Sequence, residues 1–374
     1  MESNMKKLGF GMMRLPKLNG GTDADIDKKQ TAEMIDLFLE RGFKYFDTAF
    51  MYHEGESEKA VGELLSARHP RDSFFLATKL PMMDIEKKEQ MEEVFNTQLE
   101  RTRAGYFDRY LIHGIDRRTA KKVDELDAWS FVKALKEKGL VRSIGFSFHS
   151  SAGHLDEILT KHPEMEFVQL QINYADWEDK EVQSRLCYEV AEKHGKPVTV
   201  MEPVRGGALA AMPENIRSIL LRAAPDRNIA SWALRFVGSL PMVNMVLSGM
   251  SSIEQLKENM ETFDNFEPLT DSERRVIAEV VEEIRKIPTI PCTACKYCTP
   301  NCPQNINIPR IISLLNDYTI YRSLEPNVRR YNMMLKGGRG KASDCIECGS
   351  CEGHCPQNIK IISVLKEAAK TFGK

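Results

Sequence analysis

The chain of 374 residues has no apolar run of the ~18 residues needed to cross a bilayer, and its opening stretch, Met1 to Phe10, has no apolar signal core. These two absences argue against a membrane span and against export, and they predict a cytoplasmic protein. Basic charge is not in excess either: 52 Lys and Arg stand against 54 Asp and Glu, for a net charge of −2. Such a chain offers nucleic acid no electrostatic footprint. No G-x-G-x-x-G follows any candidate strand, which counts against an open dinucleotide-binding sheet. Cysteine is equally sparse over most of the length. Before Cys292 there is only Cys187, which falls in a helical pattern with Leu186, Val190 and Ala191 and reads as core packing.

The remaining eight cysteines are concentrated near the C-terminal end, in two copies of one pattern. Cys292-Thr-Ala-Cys295-Lys-Tyr-Cys298-Thr-Pro-Asn-Cys302-Pro303 recurs as Cys345-Ile-Glu-Cys348-Gly-Ser-Cys351-Glu-Gly-His-Cys355-Pro356. A C-x2-C-x2-C-x3-C-P run places three thiolates around one [4Fe–4S] cube while the fourth serves a neighbouring cube. In a two-cluster ferredoxin arrangement, Cys292, Cys295, Cys298 and Cys355 hold one cluster. Cys345, Cys348, Cys351 and Cys302 then hold the other. Zinc sites use paired C-x2-C units and disulfides suit exported chains, so neither accounts for this spacing twice over. Each copy continues into a helical stretch, Pro309 to Leu315 and Ile361 to Lys370. The intervening Pro303 to Asp344 adds two helical patterns and a glycine hinge at Gly337, Gly338 and Gly340. That insert resembles the mostly helical two-cluster ferredoxin modules of larger enzymes.

Ahead of the cysteines, short β-rich segments alternate with amphipathic helical ones. The strand candidates are Leu8–Met13, Lys44–Ala49, Phe74–Lys79, Arg109–His113, Arg142–Ser147, Phe167–Ile172, Val198–Met201 and Asn244–Ser248. Helical spacing follows at Met34, Leu37 and Phe38 with a stop at Gly42, and at Met91, Val94, Phe95 and Leu99 behind an N-cap candidate at Asp84. It recurs at Leu155, Ile158 and Leu159, and again at Ile253, Leu256 and Met260. Eight β units alternating with helices predict a closed parallel (β/α)8 TIM barrel, whose chemistry belongs at the C-terminal strand ends. The expected division is a barrel over 1–283, a proline-stiffened connector over 284–291 and a smaller, mostly helical ferredoxin-type domain over 292–374.

The second strand candidate ends in Asp47-Thr-Ala-Phe-Met-Tyr52, the third in Thr78-Lys79 and the fourth in Ile112-His113. In this order they resemble the catalytic tetrad of the aldo-keto reductases. Gly9-Phe-Gly-Met-Met-Arg-Leu-Pro16, Gly55-Glu-Ser-Glu58, Gly145-Phe-Ser147 and Val168-Gln-Leu-Gln-Ile-Asn-Tyr174 add to the likeness over roughly Met5 to Glu283. Carbonyl reduction requires a hydride at carbon and a proton for the developing alkoxide. The resemblance implies Tyr52 as that acid, an ammonium at Lys79 to stabilise its phenolate, Asp47 to orient Lys79 and His113 to aim the carbonyl oxygen. Taken one at a time, Asp47 could cap a helix, Lys79 could be a solvated charge and His113 a satisfied core histidine. His53 and His149 are further polar candidates. Phe50, Met51, Met82, Met83, His149, Tyr174 and Trp177 are candidates for an apolar substrate wall or for sealing the rim.

For the cofactor, the resemblance implies that Ser147 and Gln169 hold a nicotinamide carboxamide, although Phe148 stands where the family has asparagine. The glycine-rich turns at Gly206 and Gly207 and at Ser248 and Gly249, with Asn259 beyond, fall where barrels bind phosphate. No basic residue lies between Arg235 and Lys257 to grip a 2′-phosphate. NAD(P)(H) is the expected cofactor, with FMN as the alternative, because cubes pass single electrons and nicotinamide passes two at once. Three readings follow. The first is reduction of a small-molecule carbonyl, or a related unsaturated compound, with Tyr52 as proton donor. The second is a flavin- or ferredoxin-linked reductase fed by a ferredoxin or flavodoxin partner. The third is a non-catalytic redox sensor or electron relay. No nucleic acid and no membrane is expected as a partner.

Overall fold

A computed structural model describes residues 5–117, 119–264 and 266–373. Eight strands close into one all-parallel barrel in sequential order: β1 Leu8–Gly11, β2 Tyr45–Asp47, β3 Phe75–Leu80, β4 Phe107–Ile115, β5 Val141–Phe148, β6 Phe167–Gln171, β7 Val198–Met201 and β8 Val243–Gly249. The (β/α)8 expectation holds, and each strand lies within two or three residues of its sequence candidate. The helices between and after them are α1 Lys28–Glu40, α2 Glu56–Ala60, α3 Glu89–Thr102, α4 Thr119–Glu125, α5 Ala128–Glu137, α6 Ala152–Lys161, α7 Ser184–Lys193, α8 Glu214–Ala223, α9 Ile229–Gly238, α10 Ile253–Asp264 and α11 Asp271–Lys286.

Alternation along the strands decides what reaches the barrel lumen. Tyr45, Ala77, Leu111, Phe167, Met245 and Leu247 form a compact buried cluster inside the barrel. Their neighbours Phe46, Leu76, Tyr110, Ile112, Val168 and Val246 belong to the larger core under the helices. Two steps up each strand, the inward row continues to Asp47, Lys79, His113 and Gln169. The sites named from sequence are therefore the top layer of one interior stack.

Local details differ from expectation in places. Helix α1 does stop at Gly42, whose φ of +78° suits glycine. Asp84 does not cap α3. That helix begins at Glu89, and the amides of Glu86 and Lys87 donate to Oε1 of Gln90, at 2.6 and 2.9 Å, so a glutamine inside the helix organises its entry. Strand β4 runs past His113 to Ile115, with an irregularity after Ile112 and Gly114 at φ +68°. Cys187 is buried in α7, as expected of a packing residue. A Cβ on Gly62 would lie 2.1 Å from the carbonyl oxygen of Arg101. Gly62→Ala should therefore destabilise the barrel by about 2–3 kcal/mol, read as a drop in the denaturation midpoint.

The chain forms two compact units. One comprises the residues up to Val204 with Ala230–Arg274, and the other Arg205–Ile229 with Arg275 onward. The second unit contains α12 Ile308–Tyr321, α13 Leu324–Lys336, α14 Ser350–Gly353 and α15 Ile361–Phe372. Its core is Ile306, Ile308, Ile311, Ile312, Leu315, Tyr331, Leu365, Ala368 and Phe372. The Pro-rich connector is clasped within this unit. Asn316 of α12 accepts from the amide of Ile290 and donates to its carbonyl, at 2.8 and 2.9 Å.

Candidate functional site

At the top of the barrel Lys79 is fully buried, and its Nζ donates to Oδ1 of Asp47 at 2.6 Å and to the carbonyl of Thr48 at 2.7 Å. Burial opposes charge on this lysine, but the carboxylate of Asp47 and the phenol of Tyr52 outweigh it and raise its pKa above the ordinary value. A buried ion pair of this kind is strongly interdependent: stripping one partner typically costs about 3–5 kcal/mol. Nζ also stands 4.9 Å from the centre of the Tyr52 ring. The His113 ring meets the Tyr52 ring edge-on, 6.1 Å between centroids at 80°. The structure thus brings all four tetrad residues together.

Burial raises the Tyr52 phenol, with Lys79 pulling the other way and Asp47 adding to the rise. Desolvation wins over the lysine, so the phenol is firmly protonated at neutral pH. Burial, Lys79 and His149 hold His113 well below the usual histidine range, which makes it a neutral imidazole. The sign for stability follows directly. Below about pH 6.5 the unfolded chain takes up a proton that folded His113 refuses, so acid works against the barrel there. Nδ1 of His113 is buried without a hydrogen-bond partner, as is Oδ2 of Asp47.

Tyr52 opens a short turn, Tyr52–Gly55, in which His53 and Glu54 adopt left-handed φ of 52° and 58°. His53, a polar candidate from the sequence, has both ring nitrogens engaged with backbone groups. Its Nε2 accepts from the amide of Leu15 at 3.1 Å and its Nδ1 faces the carbonyl of Asp23 at 2.6 Å, tying the turn to the loop after β1. The Gly55-Glu-Ser-Glu58 stretch is also structural. Ser57 pairs with Thr48 at 2.8 Å, and fully buried Glu58 accepts from Thr78 and Gln98, both at 2.8 Å.

Ser147 and Gln169 face each other across the β5–β6 register and are almost fully buried. Ser147 Oγ accepts from the amide of Gly114 at 2.8 Å, while Oε1 of Gln169 is buried without a partner. Phe148 alternates outward into the core, against Phe146 and His154. Ser248 and Asn259 pair with each other at 3.0 Å. Gly249 is exposed, and the side-chain carbons of Arg14 would lie 2.9–3.0 Å from a Cβ added there. Gly206 and Gly207, at φ 66° and 94°, belong to the second unit. Among the apolar-wall candidates, Met82 and Tyr174 are buried, and Trp177 packs on Tyr188 and Phe236, so these three seal the barrel. Met51 and Met83 are exposed.

Sequence reading missed Arg14, whose Nη2 lies 3.9 Å from Oε1 of Glu202, and Glu202 itself, held at φ +57° at the end of β7. Nothing in local pattern marks them, because the closing of the barrel brings them together. It also missed Gln98, although a signal existed. Met91, Phe95, Gln98 and Thr102 share the buried face of α3, and a glutamine amid apolar positions there asks for an explanation.

In the second unit two small cavities, of about 20 Å³ each, divide the cysteines. One is lined by Cys345, Cys348, Cys351 and Cys302 with Ile306, Ile308 and Leu365. The other is lined by Cys292, Cys295, Cys298 and Cys355 with Pro309, Ile312 and Ile361. Among the described residues no three His, Cys, Asp or Glu side chains converge as a site for one metal ion. The two loops superimpose in backbone habit: Ala294, Lys296 and Asn305 have left-handed φ, as do their counterparts Glu347, Gly349 and Asn358. Their turn hydrogen bonds match as well, Cys302 to Thr299 and Cys355 to Glu352, each 3.2 Å. Burial pushes the thiols of Cys298 and Cys351 up, the latter to about 11. Bound iron would offset that penalty by keeping the thiolates deprotonated.

A parallel eight-stranded barrel with a buried Asp–Lys pair under a tyrosine and a histidine defines an oxidoreductase scaffold. The chain matches the aldo/keto reductase family over residues 7–282 and the 4Fe-4S dicluster domain over 291–359, and it belongs to the aldo/keto reductase family. An aldo-keto reductase of Mycolicibacterium vanbaalenii is 31% identical over 265 residues, covering 70% of this chain and 84% of that protein. The NAD(P)H-dependent 6'-deoxychalcone synthase of Glycine max is 26% identical over 290 residues, covering 71% and 87%. Among solved structures, an aldo-keto reductase of Bacillus halodurans in its holo form superposes with a TM-score of 0.59 at 28% identity, over 73% of this chain and 91% of that one. The protein is therefore an oxidoreductase with an iron–sulfur domain. No helix among its described residues is long and apolar enough to cross a membrane.

Proposed function

We propose that the barrel reduces a small-molecule carbonyl, with Tyr52 as the proton donor, and that the second unit carries two [4Fe–4S] clusters. The observation that carries this reading is the buried Lys79–Asp47 pair set under the Tyr52 ring, beside a neutral His113. Neutral His113 has one N–H to direct at the carbonyl oxygen, and a phenol is a far better acid than the alcohol being formed. As the phenol gives up its proton, charge appears where the Lys79 ammonium already stands, so little rearrangement is needed. Asp47 keeps that ammonium charged and aimed.

A nicotinamide, when bound, supplies the hydride. The residues present fit one: the unpartnered Oε1 of Gln169 would accept from a carboxamide N–H, and Ser147 retains its hydroxyl hydrogen to donate to the carboxamide oxygen. The Glycine max relative is named as NAD(P)H-dependent, which agrees with this assignment. Ser248, Gly249 and Asn259 are proposed for the rest of the cofactor. Each set of four cysteines would hold one cube, which passes electrons singly. We assign the barrel to 1–283, the connector to 284–291 and the cluster domain to 292–374. A ferredoxin or flavodoxin is the proposed class of redox partner.

The test is anaerobic purification with iron, sulfide and flavin analysis, followed by NADH and NADPH oxidation against a panel of aldehydes and ketones. We expect about eight irons per chain, no flavin and turnover with at least one nicotinamide. Released flavin, or silence toward every carbonyl with either nicotinamide, would overturn the reading.

A further inference from the structure

The mechanism explains why Lys79 must sit under Tyr52 but leaves open what fixes the spacing between them. The two residues arrive on different segments. Lys79 ends β3, while Tyr52 rides a turn whose left-handed residues have no intrinsic reason to hold one shape. Something must brace the strand end against the turn.

Behind Lys79, on the side away from the lumen, lies a fully buried polar network centred on Gln98 of α3. Its Nε2 donates to the carbonyl of Lys79 at 3.0 Å and to Oε1 of Glu58 at 2.8 Å, with Oγ1 of Thr78 at 3.1 Å. Its Oε1 accepts from the Tyr110 hydroxyl at 2.7 Å. Thr78 in turn donates to Oε1 of Glu58 at 2.8 Å. The amide orientation follows from chemistry. Turned over, Oε1 would face the Lys79 carbonyl, which cannot donate. Glu58 carries the brace onward, since its Oε2 faces Nη1 of Arg101 at 3.4 Å. That same guanidinium reaches the carbonyl of Phe50 at 3.3 Å and lies over the Phe50 ring at 4.3 Å. Three side chains, Gln98, Glu58 and Arg101, thus join the backbone of the catalytic lysine to the loop that presents the catalytic tyrosine.

Burying a carboxyl, an amide and a phenol together is costly unless all are satisfied. An apolar residue at position 98 would pack the face shared with Met91 and Phe95 without that cost. The polar choice therefore needs a reason beyond packing.

We propose that Gln98 is a positioning residue for the reaction at Tyr52: through the Lys79 carbonyl and Glu58 it sets the distance between the ammonium and the phenol. This rests on Tyr52 being the proton donor, and the test separates the two ideas. The variant is Gln98→Met, which keeps volume and removes every hydrogen bond. The control is Tyr188→Phe, which removes a bond to the amide of Met242, 3.1 Å away on the outer side of the barrel, and so costs stability elsewhere. We expect Gln98→Met to lower kcat at least about tenfold with KM for the nicotinamide within about twofold, the pattern of an interaction lost in the transition state. Tyr188→Phe should lose some stability and keep its kcat.

A second readout needs no turnover. In protein carrying 13C-labelled tyrosine, with the Tyr52 signal assigned through Tyr52→Phe, the phenol should titrate about one pH unit higher in Gln98→Met than in the parent, because the ammonium is no longer held beside it. Tyr188→Phe should leave the titration in place. If Gln98→Met leaves the Tyr52 titration unmoved, or if both variants lose kcat in step with stability, Gln98 is only a packing residue and the proposal fails. If the parent protein turns over no carbonyl while the titration still moves, the brace stands and the assignment of Tyr52 as acid falls instead.

Discussion

Tyr52→Phe should lower carbonyl turnover by about a hundredfold or more while both clusters and the thermal transition of the barrel persist. The magnitude is that of removing a positioned general acid, about 10²–10⁴ in rate. The phenyl ring keeps the edge-on packing against His113 and the contact with the Lys79 ammonium, so the cavity wall is preserved and only the transferable proton is gone. Nicotinamide affinity should change little, because Ser147 and Gln169 are untouched. The pH profile of the parent sharpens the test. With His113 neutral throughout, kcat should show no step near pH 6.5, and the falling limb should lie on the alkaline side, where the raised phenol of Tyr52 finally ionises. Parental activity in Tyr52→Phe would end the proposed mechanism, and a strong step near pH 6.5 would mean that His113 takes part as a titrating acid.

The second large effect belongs to the cysteines. Cys302→Ser should abolish the cluster of the other motif, that of Cys345, Cys348 and Cys351, and leave the one beside it in sequence intact. Cys302 lines the cavity of the distant triplet, and Cys355 lines that of Cys292, Cys295 and Cys298. Iron and sulfide per chain should fall by about half. Alkylation of the native protein followed by peptide mapping should then find Cys345, Cys348 and Cys351 open to reagent and Cys292, Cys295 and Cys298 protected. Cys355→Ser should give the mirror result. Labelling of the local triplet in Cys302→Ser would show that each motif serves its own cube.

Much of this is legible in the amino-acid sequence alone. The barrel follows from eight β-rich segments at helix-length intervals, because parallel strands buried on both faces read as short apolar runs with little ambiguity. The tetrad was legible as a resemblance to the aldo-keto reductase motif; strand alternation accounts for the inward Asp47, Lys79 and His113, whereas Tyr52 rides the turn after β2. What was not legible are features made by closure or by exceptions to pattern. Arg14 and Glu202 meet only because β1 and β7 flank β8. Asp84 resembled a cap, yet the glutamine at position 90 outcompetes it by bonding two amides from inside the helix. His53 looked chemical because it adjoins Tyr52, but the left-handed turn swings its ring toward Leu15 and Asp23 instead. The glycine pair after β7 could be read as a phosphate turn from sequence, whereas its grouping with the second unit depends on contacts made a hundred residues later.

The crossed grouping of the cysteines also has a consequence for biosynthesis. The triplet that leaves the ribosome first, Cys292, Cys295 and Cys298, shares its cavity with Cys355, which is made only after the whole intervening insert. On the proposed ligation, neither cube can be sealed on a nascent chain that has not yet reached the second motif. The barrel, with its sequential neighbour-to-neighbour strands, can close well before that. Cells starved of iron should accordingly accumulate chains with a finished barrel and an empty, protease-sensitive second unit.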